Sequence, residues 1–189
     1  MNFHKLRRIT LFLMIGLLGS VLFLGCTSST PTEDGVNSGG KVELDTDDGR
    51  EHLDGFAPNT DGYSVTPATS GPHWIGPETP AGVPAPARWG IYSNELPDEV
   101  LIHNLEHGGI GIHYDCDSDC PEIVAALEKF VPSSPSQFIV SPYSETPSRI
   151  TITSWRHHLY LDEVDTEKIQ QFIDEYKDRA PESVSGNLY

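Results

Sequence analysis

Apolar and polar positions alternate in two clear stretches of the chain. From Gly109 to Tyr114, Ile110, Ile112 and Tyr114 take one side. From Arg149 to Trp155, Ile150, Ile152 and Ser154 alternate against Thr151, Thr153 and Trp155. A period of two predicts strands in both places. Gln137–Ser141 and His158–Leu161 read as further short strands. Glu99–His103 reads as another, because it holds the run Val100-Leu101-Ile102 and such residues favour pleated backbone. The period changes at Pro121–Phe130, where Ile123, Val124, Leu127 and Phe130 form an apolar stripe behind a proline suited to a first helical turn. A last helix is predicted from its cap at Asp165 to about Arg179, with Ile169, Phe172, Ile173 and Tyr176 three and four residues apart. Strands and helices that do not strictly alternate predict an α+β domain, a small mixed or antiparallel sheet with two main helices.

The stretch before these elements is different. Arg50–Pro97 is rich in proline and glycine and shows little periodicity. It is expected to be an irregular N-terminal segment of the domain, pinned by Tyr63, Trp74, Trp89 and Tyr92. Irregular segments of this length in a folded domain often carry function, and this one carries His73. No internal repeat is present.

The N-terminus speaks to location. Lys5, Arg7 and Arg8 precede an apolar run from Ile9 to Leu24 that ends in Gly25-Cys26. This layout is that of a secretory signal with a bacterial lipoprotein-like end. It predicts a signal peptide over 1–25, lipidation of Cys26, and a polar tether from there to residue 48. The alternative is an uncleaved transmembrane anchor, for which the run is near the lower limit of length. Either way the single globular domain, residues 49–189, is expected on the extracytoplasmic face of a cell membrane. The removed segment holds three basic residues and no acid, so its loss takes the formal charge from −16 to −19. Such a surface repels nucleic acid, and the expected partner is the membrane, through the lipid. Beyond Cys26 the chain has two cysteines, Cys116 and Cys120, an even number that suits an oxidising compartment. A disulfide closing this short loop is expected, with a thiol metal site or a redox pair as alternatives. Asp115, Asp117 and Asp119 alternate like a calcium loop but lack its glycine and terminal glutamate, and read as a solvated acidic turn.

Candidate chemistry gathers on histidine. His103 and His107 are four residues apart and share a face of either a helix or a strand. With His73 they make three imidazoles, a donor set for copper or zinc with an open position. Glu106, Tyr92 or His113 are placed to complete or orient such a site. His113 falls opposite Ile110 and Ile112 on its strand and reads as exposed, as do the polar residues of Trp155-Arg156-His157-His158. His103-Asn104-Leu105-Glu106-His107 also spells the inverted zinc-protease pattern, in which Glu106 is the catalytic base. That chemistry needs a helix, and the residues around it favour a strand stopped by Gly108-Gly109. Ser70 near His73 sits in a turn sequence before it is a nucleophile. Three readings follow: a metal-binding domain, a metal-assisted hydrolase using Glu106, and a structural or partner-binding module whose histidines brace the fold.

One resemblance spans most of the folded part. Thr69-Ser70-Gly71-Pro72-His73, Gly90-Ile91-Tyr92, Ile102-His103-Asn104-Leu105-Glu106-His107-Gly108-Gly109, Ser141-Pro142-Tyr143, Ser154-Trp155, Phe172-Ile173 and Ala180-Pro181-Glu182 stand in the order and spacing of a bacterial family called domain of unknown function 3105. The chain resembles that family from about Asp61 to Glu182. It departs at Pro67-Ala68, where the family has a Pro-Pro pair. The resemblance implies an exported or membrane-anchored domain and no established activity.

Overall fold

The computed structural model describes residues 40–116, 120–133 and 137–183. Six strands and three helices follow in the order β1 (Val42–Leu44), β2 (Gly90–Ile91), α1 (Asp98–Glu106), β3 (Ile110–Tyr114), α2 (Pro121–Leu127), β4 (Phe138–Pro142), β5 (Ile150–Ser154), β6 (His157–Leu161) and α3 (Thr166–Tyr176). The strands form one mixed sheet in the order β1-β6-β5-β3-β4-β2. β3 and β2 run parallel to β4, and the other pairs are antiparallel. The architecture is α+β, as the patterning predicts. Among the described residues, no helix is long and apolar enough to cross a membrane. The expected signal, the lipidation site Cys26 and the tether up to residue 39 lie outside the described residues.

The alternation along each strand decides what lies on the two faces. Ile110, Ile112, Phe138, Val140, Ile150, Ile152, Leu159 and Leu161 point to one side. There they meet Leu127 of α2 and Ile169, Phe172 and Ile173 of α3. Pro121 opens α2, and the Asp165 carboxylate caps α3 by accepting the Lys168 N–H at 3.0 Å. Cys116 and Cys120, just before α2, are joined in the expected disulfide.

The opposite face is also buried, and this corrects the sequence reading. His113 is 1% exposed, against the exposed position expected from its alternation. Its neighbours are Ser141 Oγ, 3.1 Å from Nδ1, and Thr153 Oγ1, 3.3 Å from Nε2, with the Tyr143 ring edge nearby. The alternation holds, and the back face is covered rather than solvated. His158 is likewise buried. Its Nδ1 lies 2.6 Å from Asp45 Oδ1, whose other oxygen accepts the Thr69 hydroxyl at 2.8 Å.

Gly111 makes room on this face. A Cβ there would sit 2.5 Å from His113 Nε2 and would also collide with Thr153 Oγ1. We expect Gly111→Ala to destabilise the domain by about 1–3 kcal/mol through overpacking. A urea midpoint unchanged from the parent chain would refute this.

Two further expectations change. The tether does not reach residue 48: Val42–Leu44 pairs with His157–Leu159 as an edge strand, and Val42 packs on the core. Lys41-Val42-Glu43-Leu44 is too short and polar to announce a strand by composition, and it forms because β6 offers it an edge. Glu99–His103 is not a strand but part of α1. Residues 100–106 of this helix are all buried, polar ones included, so it has no solvent-exposed face to give a helical period. Asp98 and Glu99 in its first turn suit the helix dipole. Asp98 also ties the helix to its surroundings, accepting the Ala68 N–H at 3.1 Å and the Tyr143 hydroxyl at 2.9 Å.

Candidate functional site

α1 ends in a Schellman turn. Gly108, at φ +84°, donates its N–H to Leu105 O at 2.9 Å, and Gly109 donates to Asn104 O at 3.1 Å. A side chain at Gly108 would also strike Ser183 and the backbone of Asp178. The C-terminal segment crosses closely here, with Asp178 N–H bonded to Gly108 O and Glu182 N–H bonded to Glu106 O. The turn thus seals the end of the helix over Glu106, which is 1% exposed.

The irregular segment supplies the other half of the site. Gly71 donates to Gly49 O, His73 donates to Glu51 O, and Leu53 donates to His73 O, at 2.8, 2.9 and 2.8 Å. This short parallel ladder sets His52 beside His73. Trp74 N–H bonded to Glu99 O joins the same loop to the first turn of α1. The ring centroid of His73 lies 4.9 Å from those of both His52 and His103, and the His52 and His103 centroids are 5.3 Å apart.

The result is a cluster of donor atoms. One ligand-capable atom from each of His52, His73, His103 and Glu106 lies within 4.8 Å of all the others. Such a group has the donors to hold a metal ion. His73, His103 and Glu106 are buried, and His52 is exposed. His107 stands beside this group rather than among its four: its ring stacks on His103 at 5.0 Å, and its Nδ1 lies 3.3 Å from Glu182 O. His52 is the member that sequence reasoning passed over. Glu51-His52-Leu53 carries no local motif, and only the backbone ladder to His73 brings it in. Tyr92 is not among the four, and its hydroxyl donates to Arg88 O at 2.6 Å. Ser70 donates to Thr46 O and accepts from Asp48 N–H, so it stitches the loop to the chain after β1.

The hydrogen bonds orient the rings. His73 Nδ1 lies 2.9 Å from Gly71 O and His103 Nδ1 lies 2.6 Å from Trp74 O. A carbonyl oxygen only accepts, so each Nδ1 carries the ring proton and each Nε2 keeps a lone pair. Metal-ligating histidines are commonly held through their other ring nitrogen in this way. Inside the cluster, His73 Nε2 lies 3.1 Å from Glu106 Oε2. That approach lacks the alignment of a hydrogen bond, and neither buried atom has another hydrogen-bond partner.

Electrostatics agree with a desolvated site. Burial holds His73 below the ordinary imidazole range and pushes His103 down to about 3. Burial, reinforced by Glu182, pushes Glu106 up to about 7, opposed by Arg50 with its guanidinium 3.9 Å away. These shifts mark groups that resist charge in a dry environment.

On its outer side the cluster meets a cleft of about 690 Å³. His52, His103 and His107 form part of the wall, together with Ile75 and a turn rich in proline. Glu106 does not reach that wall.

The family model described as Protein of unknown function (DUF3105) matches residues 59–187. The chain belongs to the DUF3105 family. No curated protein and no solved structure matches it. The DUF3105 match takes in His73, His103, Glu106 and His107, while His52 precedes it.

Proposed function

We propose that this DUF3105 domain binds one transition-metal ion, copper or zinc, through His52, His73, His103 and Glu106. We further propose that it does so outside the cytoplasm, tethered to the membrane by lipid on Cys26. The observation that carries the metal reading is the contact between His73 Nε2 and Glu106 Oε2. Two electron-rich atoms are held 3.1 Å apart in the protein interior with no bonded partner. Leaving such groups unsatisfied costs about 1–3 kcal/mol each. A proton would serve this pair, whereas a metal ion serves all four donors at once. Imidazole nitrogen with one carboxylate and no thiolate suits a divalent ion such as Zn²⁺ or Cu²⁺.

The other two readings have less support. Bracing accounts for His73 and His103 through Nδ1, and a proton shared between His73 Nε2 and Glu106 would complete it for His73. It gives no reason for donor atoms of His52, His73, His103 and Glu106 to converge within 4.8 Å. A hydrolase needs Glu106 beside substrate, and Glu106 lies behind the histidines, off the wall of the cleft.

Metal content of the tagless full-length chain in detergent, measured by mass spectrometry, tests the proposal. The parent protein is expected to carry nearly one copper or zinc per chain. His73→Ala and His103→Ala, each shown by circular dichroism to be folded, are expected to carry less than about a tenth of that. A parent protein that neither retains metal nor takes it up when copper or zinc is supplied would overturn the reading.

A further inference from the structure

The cleft outside the donor cluster is built from two unlike parts. One wall is apolar, with Ile75, Pro77, Pro84 and Pro86. Ile75 is 53% exposed, one of few large apolar side chains among the described residues to be so open. Proline has no N–H to offer. The N–H groups of Gly76 and Ala85 are used on each other's carbonyls, at 3.0 and 2.9 Å. This wall therefore gives a bound molecule an apolar surface and little to hydrogen-bond.

The wall is also fixed in place. Asn104, 1% exposed, accepts the Ala87 N–H and donates to Ala87 O, both at 2.8 Å. The side chain next to His103 thus locks the proline turn against α1. Thr79 closes the turn's far end by bonding Val83 O through both its N–H and its hydroxyl. A cavity of about 690 Å³ with such walls falls in the range of small-molecule sites.

Charge selects the kind of molecule. Arg88 lines the cleft, and its guanidinium makes no ion pair among the described residues. That is notable in a chain with 28 acidic and 12 basic residues. Glu182 is the carboxylate on the wall, and it is not paired with Arg88. With a divalent ion on the cluster, two positive charges from the ion and one from Arg88 face the carboxylates of Glu106 and Glu182. The balance is positive.

We infer that the cleft binds a small organic carboxylate with an apolar body, its charged end toward Arg88 and the metal and its body along Ile75 and the prolines. This rests on the metal reading above. The anion would sit on the cleft side of the cluster, where His52, His103 and His107 form part of the wall.

Benzoate is the probe, titrated calorimetrically into the zinc-supplied full-length chain in detergent against a detergent blank. Acetate and benzylammonium serve as comparisons, and metal content is measured on the same samples. Benzoate is expected to bind at least tenfold more tightly than acetate, and benzylammonium not at all. Arg88→Gln is expected to keep its zinc and to weaken benzoate about tenfold. Ile75→Asp is expected to erase the preference for benzoate over acetate. Stoichiometric zinc with no benzoate preference, or with benzoate unaffected in Arg88→Gln, would overturn this inference and leave the metal reading standing. Absence of zinc would overturn the metal reading. It would overturn this inference with it, because the positive balance of the cleft needs the ion.

Discussion

Zinc or copper at about a thousandfold excess over its dissociation constant is expected to stabilise the folded domain by about 4 kcal/mol. The ion binds the folded chain because only folding brings the donors together. His52 and His73 meet through the ladder of residues 49–53 with 71–73. His103 and Glu106 sit three residues apart on α1. An unfolded chain has none of these contacts. Thermal unfolding with and without added metal is the measurement. His73→Ala is expected to lose the metal-dependent part of the shift. In metal-free buffer it should cost less than an ordinary buried truncation, because it also removes the unbonded Nε2 from beside Glu106. Equal shifts in parent and variant would show that any ion acts elsewhere.

Acid is expected to unfold the domain partly through His113. This ring lies wholly within the second face of the sheet, and burial pushes its pKa down to about 3 from an ordinary value of 6.5. The unfolded chain therefore binds a proton below about pH 6.5 that the folded chain refuses. Stability contributed by neutral His113 is fully present above that pH and is lost as pH falls toward 3. At 1.36 kcal/mol per unit, the loss by pH 4 is roughly 3 kcal/mol. His113→Gln keeps a donor and an acceptor for Ser141 and Thr153 but has no proton to gain. Its stability relative to the parent chain is expected to improve by about that amount between pH 7 and pH 4, as measured by urea unfolding at each pH. A constant difference across this range would show that His113 does not titrate on unfolding.

Much of the fold is legible in the chain because its strongest signals are local. Ile110, Ile112, Ile150 and Ile152 alternate because one side of β3 and β5 must meet α2 and α3. The stripe Ile169, Phe172, Ile173 and the cap at Asp165 announce α3 for the same reason. The elements that misled are those whose environment is not local. α1 is buried all round, so it shows an apolar run in place of a stripe, and a run of three such residues reads as a strand. β1 has almost no signal of its own and exists by pairing with β6. The burial of His113 and His158 is not legible in the sequence, because a strand pattern reports which residues share a face and not whether that face is covered.

The candidate site divides along the same line. His73, His103, Glu106 and His107 were visible because histidine and glutamate in short motifs are chemically conspicuous. By itself, the sequence determined the family, the α+β class, the residue types of a nitrogen and oxygen donor set, and a strongly acidic composition. Which donors converge was decided by tertiary structure alone. Helical geometry turned Glu106 to His73, and a ladder between distant backbone segments brought in His52. The stack on His103 and the contact with Glu182 held His107 to one side. Donor type is a property of single residues, whereas convergence within a few ångströms depends on backbone paths that meet only when the chain has folded.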